Sequence, residues 1–243
     1  QGRSEIDMGT QWIVTCQAIR TALEQAGVGA GRIAVLGVSG HGNGLYLLDR
    51  SGVPLRPAVS SMDHRALPAV NAFAPASRTA LRDLTLQTLW SGQPGMILRW
   101  LRQHDPACYG QIGSVLFCKD WLRYCLTDVV ASDYTDVSAS GLFAVCSRAY
   151  DGTIFDLLEI PEVDAWLPPV RASHQTVGTV SARAANQTGL VAGMPVVAGL
   201  FDVTANALGT GLVAEGEFGA VGGSWSLNIA LSRKPRSPSV SRH

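Results

Sequence analysis

Apolar positions along the chain fall into two rhythms, and their alternation predicts the elements. Residues 10–26 repeat at helical spacing through Trp12, Ile13, Cys16, Ile19 and Leu23, and Gly27 stops the run. Short unbroken apolar runs at 32–38, 44–48, 55–59 and 113–118 predict strands, with a turn at 49–52 joining the second to the third. Residues 94–104 return to helical spacing through Ile97, Leu98 and Leu101, which leaves Arg99 and Arg102 to solvent. Residues 119–126 predict a helix whose aromatic side chains face a core. Residues 150–174 are rich in proline and read as loop with a short helix. A strand at 177–180, a helix at 182–188 and a strand at 195–200 follow, then a small-residue helix at 203–208 and strands at 217–221 and 226–231. The order of strands and helices predicts an α/β fold.

The stretch GMPVVAGLFDVTANALGTG, residues 193–211, organises the rest. Its apolar run ends at a single acid, Asp202, and the carboxyl end of a strand is where an α/β sheet meets its ligand. Asp202 could equally cap the helix that follows. SGHGNG, residues 39–44, sets three glycines around His41 and Asn43, either to bring backbone close to a small ligand or to make a glycine-rich hairpin. In SSMDHR, Asp63, His64 and Arg65 could bind hydroxyls, or Asp63 and Arg65 could pair internally. GGSW offers Gly222, Gly223 and Ser224 as a phosphate cradle or a plain hairpin turn. DMGT, residues 7–10, is similar to the phosphate loop of actin-like ATPases but lacks the apolar strand that should precede it. A helix N-cap at Asp7 or Thr10 is the expectation.

Composition narrows the classes. The chain has 243 residues, 47% hydrophobic and 16% charged, enough for one large globular domain or two modest ones. Formal charge is zero, but residues 232–243 carry Arg233, Lys234, Arg236 and Arg242, which leaves 15 basic against 19 acidic side chains elsewhere. A mildly acidic body argues against nucleic acid as a partner. No apolar run has the length of a membrane span, and no signal-peptide pattern opens the sequence, so no membrane partner is expected. Five cysteines without CxxC spacing, and no second His or Cys at ligand spacing, predict reduced thiols in a cytoplasmic protein without a metal site.

GQPGMILRWLRQH, residues 92–104, resembles the first signature of the FGGY family of carbohydrate kinases at its Gly-x-Pro start, Trp100, Leu101, Gln103 and His104. It departs at Ile97, where many members have lysine. QTLWSGQP, LRWLRQHDP, YGQIGSV, LRYCLT and GLFDV are similar to stretches of the L-xylulose kinases within that family. The likeness covers nearly all of residues 1–231. It implies a ribonuclease H-like (actin-like ATPase) fold, a mixed sheet with flanking helices. It further implies a sugar-binding domain at 1–211 lacking its first strands, the start of an ATP-binding domain at 212–231, and a disordered tail at 232–243. By this resemblance His41, Gly42 and Asn43 contact the sugar. Asp63, Gln93 and Trp90 are candidates by position, Asp202 is the general base, and Gly222, Gly223 and Ser224 lie near the ATP phosphates. ATP and Mg²⁺ are the implied cofactors, and a small sugar or polyol the partner. A ketopentose such as L-xylulose leads, with erythritol or another polyol as the alternative. Gly42 and Asn43 differ from what xylulokinases or glycerol kinases usually place there, so the sugar stays open. A chain shortened at both ends could also be a non-catalytic sugar-binding fragment. A missing first hairpin would expose a sheet edge and favour a homodimer.

Overall fold

The run at 44–48 is apolar throughout because the strand it forms, Tyr46–Asp49, is covered on both faces. The computed structural model describes residues 2–221 and 227–234. Tyr46–Asp49 pairs antiparallel with Ile112–Leu116, Tyr46 opposite Leu116 and Leu47 opposite Val115. Leu45 and Leu47 enter one core with Val59, Ile97, Leu101, Ile112 and Val115. Tyr46 and Leu48 enter a second with Met8, Trp12, Leu116, Trp121 and Val196. Period-two alternation thus splits one strand between two cores.

The first core is closed by the helix Pro94–His104, found at its predicted bounds with Met96, Ile97, Leu98 and Leu101 buried. Arg99 departs from the solvated expectation. Its guanidinium lies over the Phe73 ring at 4.7 Å and pairs with Glu159 at 3.0 Å. The second core is closed by the helices Met8–Ala26, Cys118–Thr127 and Ala182–Thr188. Asp7 caps the first of these, its Oδ1 accepting the Thr10 N–H at 2.6 Å, so DMGT is a helix start. The buried stripe of that helix is Met8, Trp12 and Cys16, whereas Ile13 is 58% exposed.

Three further elements carry too few large apolar residues to announce themselves. They are the helices Leu67–Asn71 and Pro75–Thr85 and the strand Glu5–Ile6, which pairs antiparallel with Ala58–Val59. The predicted strand at 32–38 is corrected. The residues Ala30–Arg32 form a 3₁₀ turn, and only Leu36, bridged in parallel to Val196, joins a ladder before Ser39–Gly40. Val35 is half exposed, so this segment lacks the double cover that regularises Tyr46–Asp49.

The strand predicted at 195–200 is broken in two. Pro195–Val197 pairs antiparallel with Thr176–Thr179, and Leu200–Phe201 pairs in parallel with Ser39–Gly40. Gly199, at φ +85°, makes the kink between them, and a Cβ there would collide with the Val38 carbonyl. The helix Asp202–Gly209 starts at once, and Phe218–Val221 pairs antiparallel with Leu227–Ala230 beyond it. Gly222, Gly223 and Ser224, and the tail from 235 on, lie outside the described residues. Among the described residues no helix is long and apolar enough to cross a membrane.

Candidate functional site

The parallel pairing of Leu200–Phe201 with Ser39–Gly40 sets the ends of two distant segments side by side. Asp202 leaves one strand as the SGHGNG loop leaves the other. A cavity of about 290 Å³ opens there, lined by His41, Gly42, Asn43, Ser61, Trp90, Phe201, Asp202, Val203 and Leu227. Its size is at the small end for ligand clefts. Aromatic rings, hydroxyl and amide groups and one carboxylate make a lining suited to a small hydroxylated molecule. A larger cavity of about 680 Å³ is bordered mainly by apolar groups such as Val38, Val197, Leu200 and Leu208, with no acid in its lining.

Asp202 is exposed on the first turn of its helix, with Phe201 at the N-cap position. Its Oδ1 accepts the N–H of Val203 at 2.7 Å, so the carboxylate is free of the usual capping geometry. Asn43 sits at φ +57°, a left-handed conformation that asparagine tolerates better than most residues. Its Oδ1 is buried without a hydrogen-bond partner among the described residues, an acceptor that a ligand hydroxyl would satisfy. The Nε2 of His41 lies 3.2 Å from the Tyr46 hydroxyl, and its Nδ1 lies 3.4 Å from the Gly42 carbonyl oxygen. Burial opposes charging His41, but hydrogen bonding to the Cys118 thiol and the charge there hold its pKa above the usual value.

Gly42 gives room rather than polar contact. The Phe201 ring packs against its Cα so closely that any Cβ would overlap ring atoms. Gly42→Ala is therefore expected to displace Phe201 and cost about 1–3 kcal/mol by overpacking, read as a lowered urea midpoint. An unchanged midpoint would mean that the ring moves freely.

Two sequence candidates are not brought to the cavity. Asp63 is fully buried, its Oδ1 accepting from Arg65 N and Nε and its Oδ2 from Ser4 N and Arg65 Nη2. Although burial alone would raise the Asp63 pKa, these bonds hold it below the usual carboxylate range. The internal pair is the reading that holds, because both oxygens are committed. Gln93 is also buried, at the N-cap position of Pro94–His104, and its Oε1 accepts the Trp90 N–H at 3.3 Å. It shapes the Trp90 turn from behind. Ser61 was missed by sequence reasoning, and its signal was its place in SSMDHR, ahead of the conspicuous charged triplet.

Behind the site lies a fully buried charge cluster that the sequence did not announce. Lys119 Nζ lies 2.6 Å from Asp120, 2.9 Å from Asp133 and 3.3 Å from Asp136, and Arg123 pairs with Asp120 at 2.9 Å. Two cations face three carboxyls. Burial pushes Asp136 up to about 7, the Lys119 ammonium pulling against it and the Asp120 and Asp133 carboxyls adding to the rise. An acid held up in the folded state stabilises fully below its unfolded pKa, and that contribution is lost as pH rises through about 7. Unfolding by urea from pH 5 to 8 should show stability falling with pH, and Asp136→Asn should flatten that fall. Equal slopes in the two proteins would contradict this assignment.

Comparison with known proteins gives the family and the fold. The pattern of the FGGY family of carbohydrate kinases, N-terminal domain, matches residues 1–209. The L-xylulose/3-keto-L-gulonate kinase of Escherichia coli (strain K12) is 40% identical over 233 residues, which is 96% of this chain and 47% of that protein. The chain thus spans about half the length of the curated relatives it matches. The crystal structure of xylulose kinase from Rhodospirillum rubrum superposes with a TM-score of 0.80 at 26% identity, covering 89% of this chain and 44% of that one. Glycerol kinase from Plasmodium falciparum with ADP gives a TM-score of 0.84 at 17% identity over 94% of this chain and 46% of that one, a likeness of fold alone.

Proposed function

The chain belongs to the FGGY family of carbohydrate kinases, with its actin-like α/β fold, and on that premise we propose that it binds a small sugar between the SGHGNG loop and Asp202. In this reading Asp202 is the general base for phosphoryl transfer to a sugar hydroxyl. The observation that carries it is the shared cavity: His41, Asn43, Ser61, Trp90 and Asp202, from four separate segments, line one space. A ketopentose such as L-xylulose is the leading substrate, supported by the likeness to the Escherichia coli kinase.

A sugar hydroxyl is a poor nucleophile, and its phosphorylation is won by alignment and charge neutralisation. Trp90 and Phe201 present apolar faces to the carbon skeleton, and the free Oδ1 of Asn43 accepts a hydroxyl hydrogen. Asp202 takes the proton of the reacting hydroxyl on its carboxylate. Mg²⁺-bound ATP, when present, would supply the γ-phosphoryl group and the charge that neutralises its oxygens. Asp202 is exposed as well as lining the cavity, which leaves its carboxylate accessible to such a donor. Gly222, Gly223 and Ser224 keep their assignment to the ATP phosphates within this reading. We assign residues 1–211 to the sugar domain and 212–231 to the entry of the nucleotide domain. The five free cysteines suit a reducing, cytoplasmic setting.

Coupled ADP release across a panel of ketopentoses and polyols tests the reading, with thermal shift alongside. Sugar-dependent ADP release, greatest with one ketopentose, is expected. A thermal shift without ADP release would reduce the activity of this chain to sugar binding, and silence in both would overturn the assignment.

A further inference from the structure

We propose that Thr135 is a positioning residue for Asp202, oriented by the buried Lys119–Asp133 pair; the role of Asp202 rests on the kinase reading above. The backbone N–H of Phe201, one residue before Asp202, donates to Thr135 Oγ1 at 2.9 Å. The single hydroxyl proton of Thr135 goes to Asp133 Oδ2 at 2.7 Å, so a lone pair of the same oxygen faces Phe201. Asp133 is itself fixed from several sides. Its Oδ2 also accepts from Thr135 N and Ser173 Oγ, and its Oδ1 sits 2.9 Å from Lys119 Nζ.

The same cluster holds the other side of the kink. Arg123 Nη1 donates to the Ala198 carbonyl at 2.7 Å while pairing with Asp120. Ala198 and Phe201, which flank the kink at Gly199, are therefore both tied to one buried charge cluster. On its opposite side the Phe201 ring rests on Gly42. None of Lys119, Arg123, Asp133 or Thr135 lines the cavity. They act on it through the backbone that delivers Asp202, and displacement of a base by about 1 Å is enough to slow a reaction strongly.

Thr135→Val keeps the shape and removes the acceptor, while Thr135→Ser keeps the acceptor. Two readouts are taken on each: amide hydrogen exchange at Phe201, and kcat with sugar KM from ADP release. Thr135→Val should speed Phe201 exchange about tenfold, as loss of one half-buried hydrogen bond implies. Amides of Met8–Ala26 should stay as protected as before. The same variant should lower kcat about tenfold or more, with KM for the sugar little changed, and Thr135→Ser should restore both. Should Thr135→Val fail to fold, Thr135→Ala carries the same test. Unchanged Phe201 exchange would overturn the clamp, and faster exchange with unchanged kcat would overturn its positioning role. A wild-type chain that releases no ADP would reduce the reading above to sugar binding and overturn the positioning role, while Phe201 exchange would still report separately on the clamp.

Discussion

Lys119→Met is expected to destabilise the fold by about 3–5 kcal/mol, the cost of removing one partner from a buried ion pair. Lys119 and the three carboxyls around it are fully buried, so water cannot replace the lost ammonium. Among the described residues only Arg123 remains as a cation within the cluster, and it reaches Asp120 and the Ala198 carbonyl rather than Asp133. Domain stabilities run to about 5–15 kcal/mol, so this one change would remove a large share. The loss should be smaller at pH 5 than at pH 8, because abandoned carboxyls can take up protons in acid. Urea unfolding of the two proteins at both pH values measures it. A loss under about 1 kcal/mol, the range of surface pairs, would contradict the picture of a desolvated cluster.

On the proposed kinase reading, in which Asp202 is the general base, Asp202→Asn is expected to lower kcat for sugar phosphorylation about a hundred- to ten-thousandfold, the usual contribution of such a group. The amide has the same shape but cannot accept the hydroxyl proton. Its oxygen can still receive the Val203 N–H that Asp202 Oδ1 holds at 2.7 Å, so the helix start and melting temperature should be preserved. KM for the sugar should change little, since the loss falls on the transition state. Wild-type kcat in this variant would remove Asp202 from the chemistry.

The parts of the fold legible in the sequence are those where local pattern and tertiary cover agree. The bounds of Pro94–His104 and Ala182–Thr188 follow from spacing, a proline start in the first and a serine cap with a closing glycine in the second. The segment at 32–38 was misread because its apolar residues have ladder partners at few positions. Pro75–Thr85 escaped notice because its buried face is only Leu81 and Thr85. The placing of Asp202 and His41 on one cavity matches the expectation from strand ends and glycines. Asp63 looked equally apt, and only the folded chain shows its oxygens taken up by Arg65 and Ser4. The Lys119 cluster was illegible because burial of a charge is a tertiary property. Asp133 and Asp136 reach Lys119 across a turn that no periodicity marks.

The central claim is that the cavity between Asn43 and Asp202 holds a sugar, and calorimetric titration of the chain with L-xylulose tests it most directly. Asn43→Gly is the companion variant, since glycine accepts the left-handed backbone at this position and removes only the side chain. Saturable binding at one site, weakened about tenfold in Asn43→Gly, is the predicted result. No saturable binding, or the same affinity in both proteins, would contradict the account.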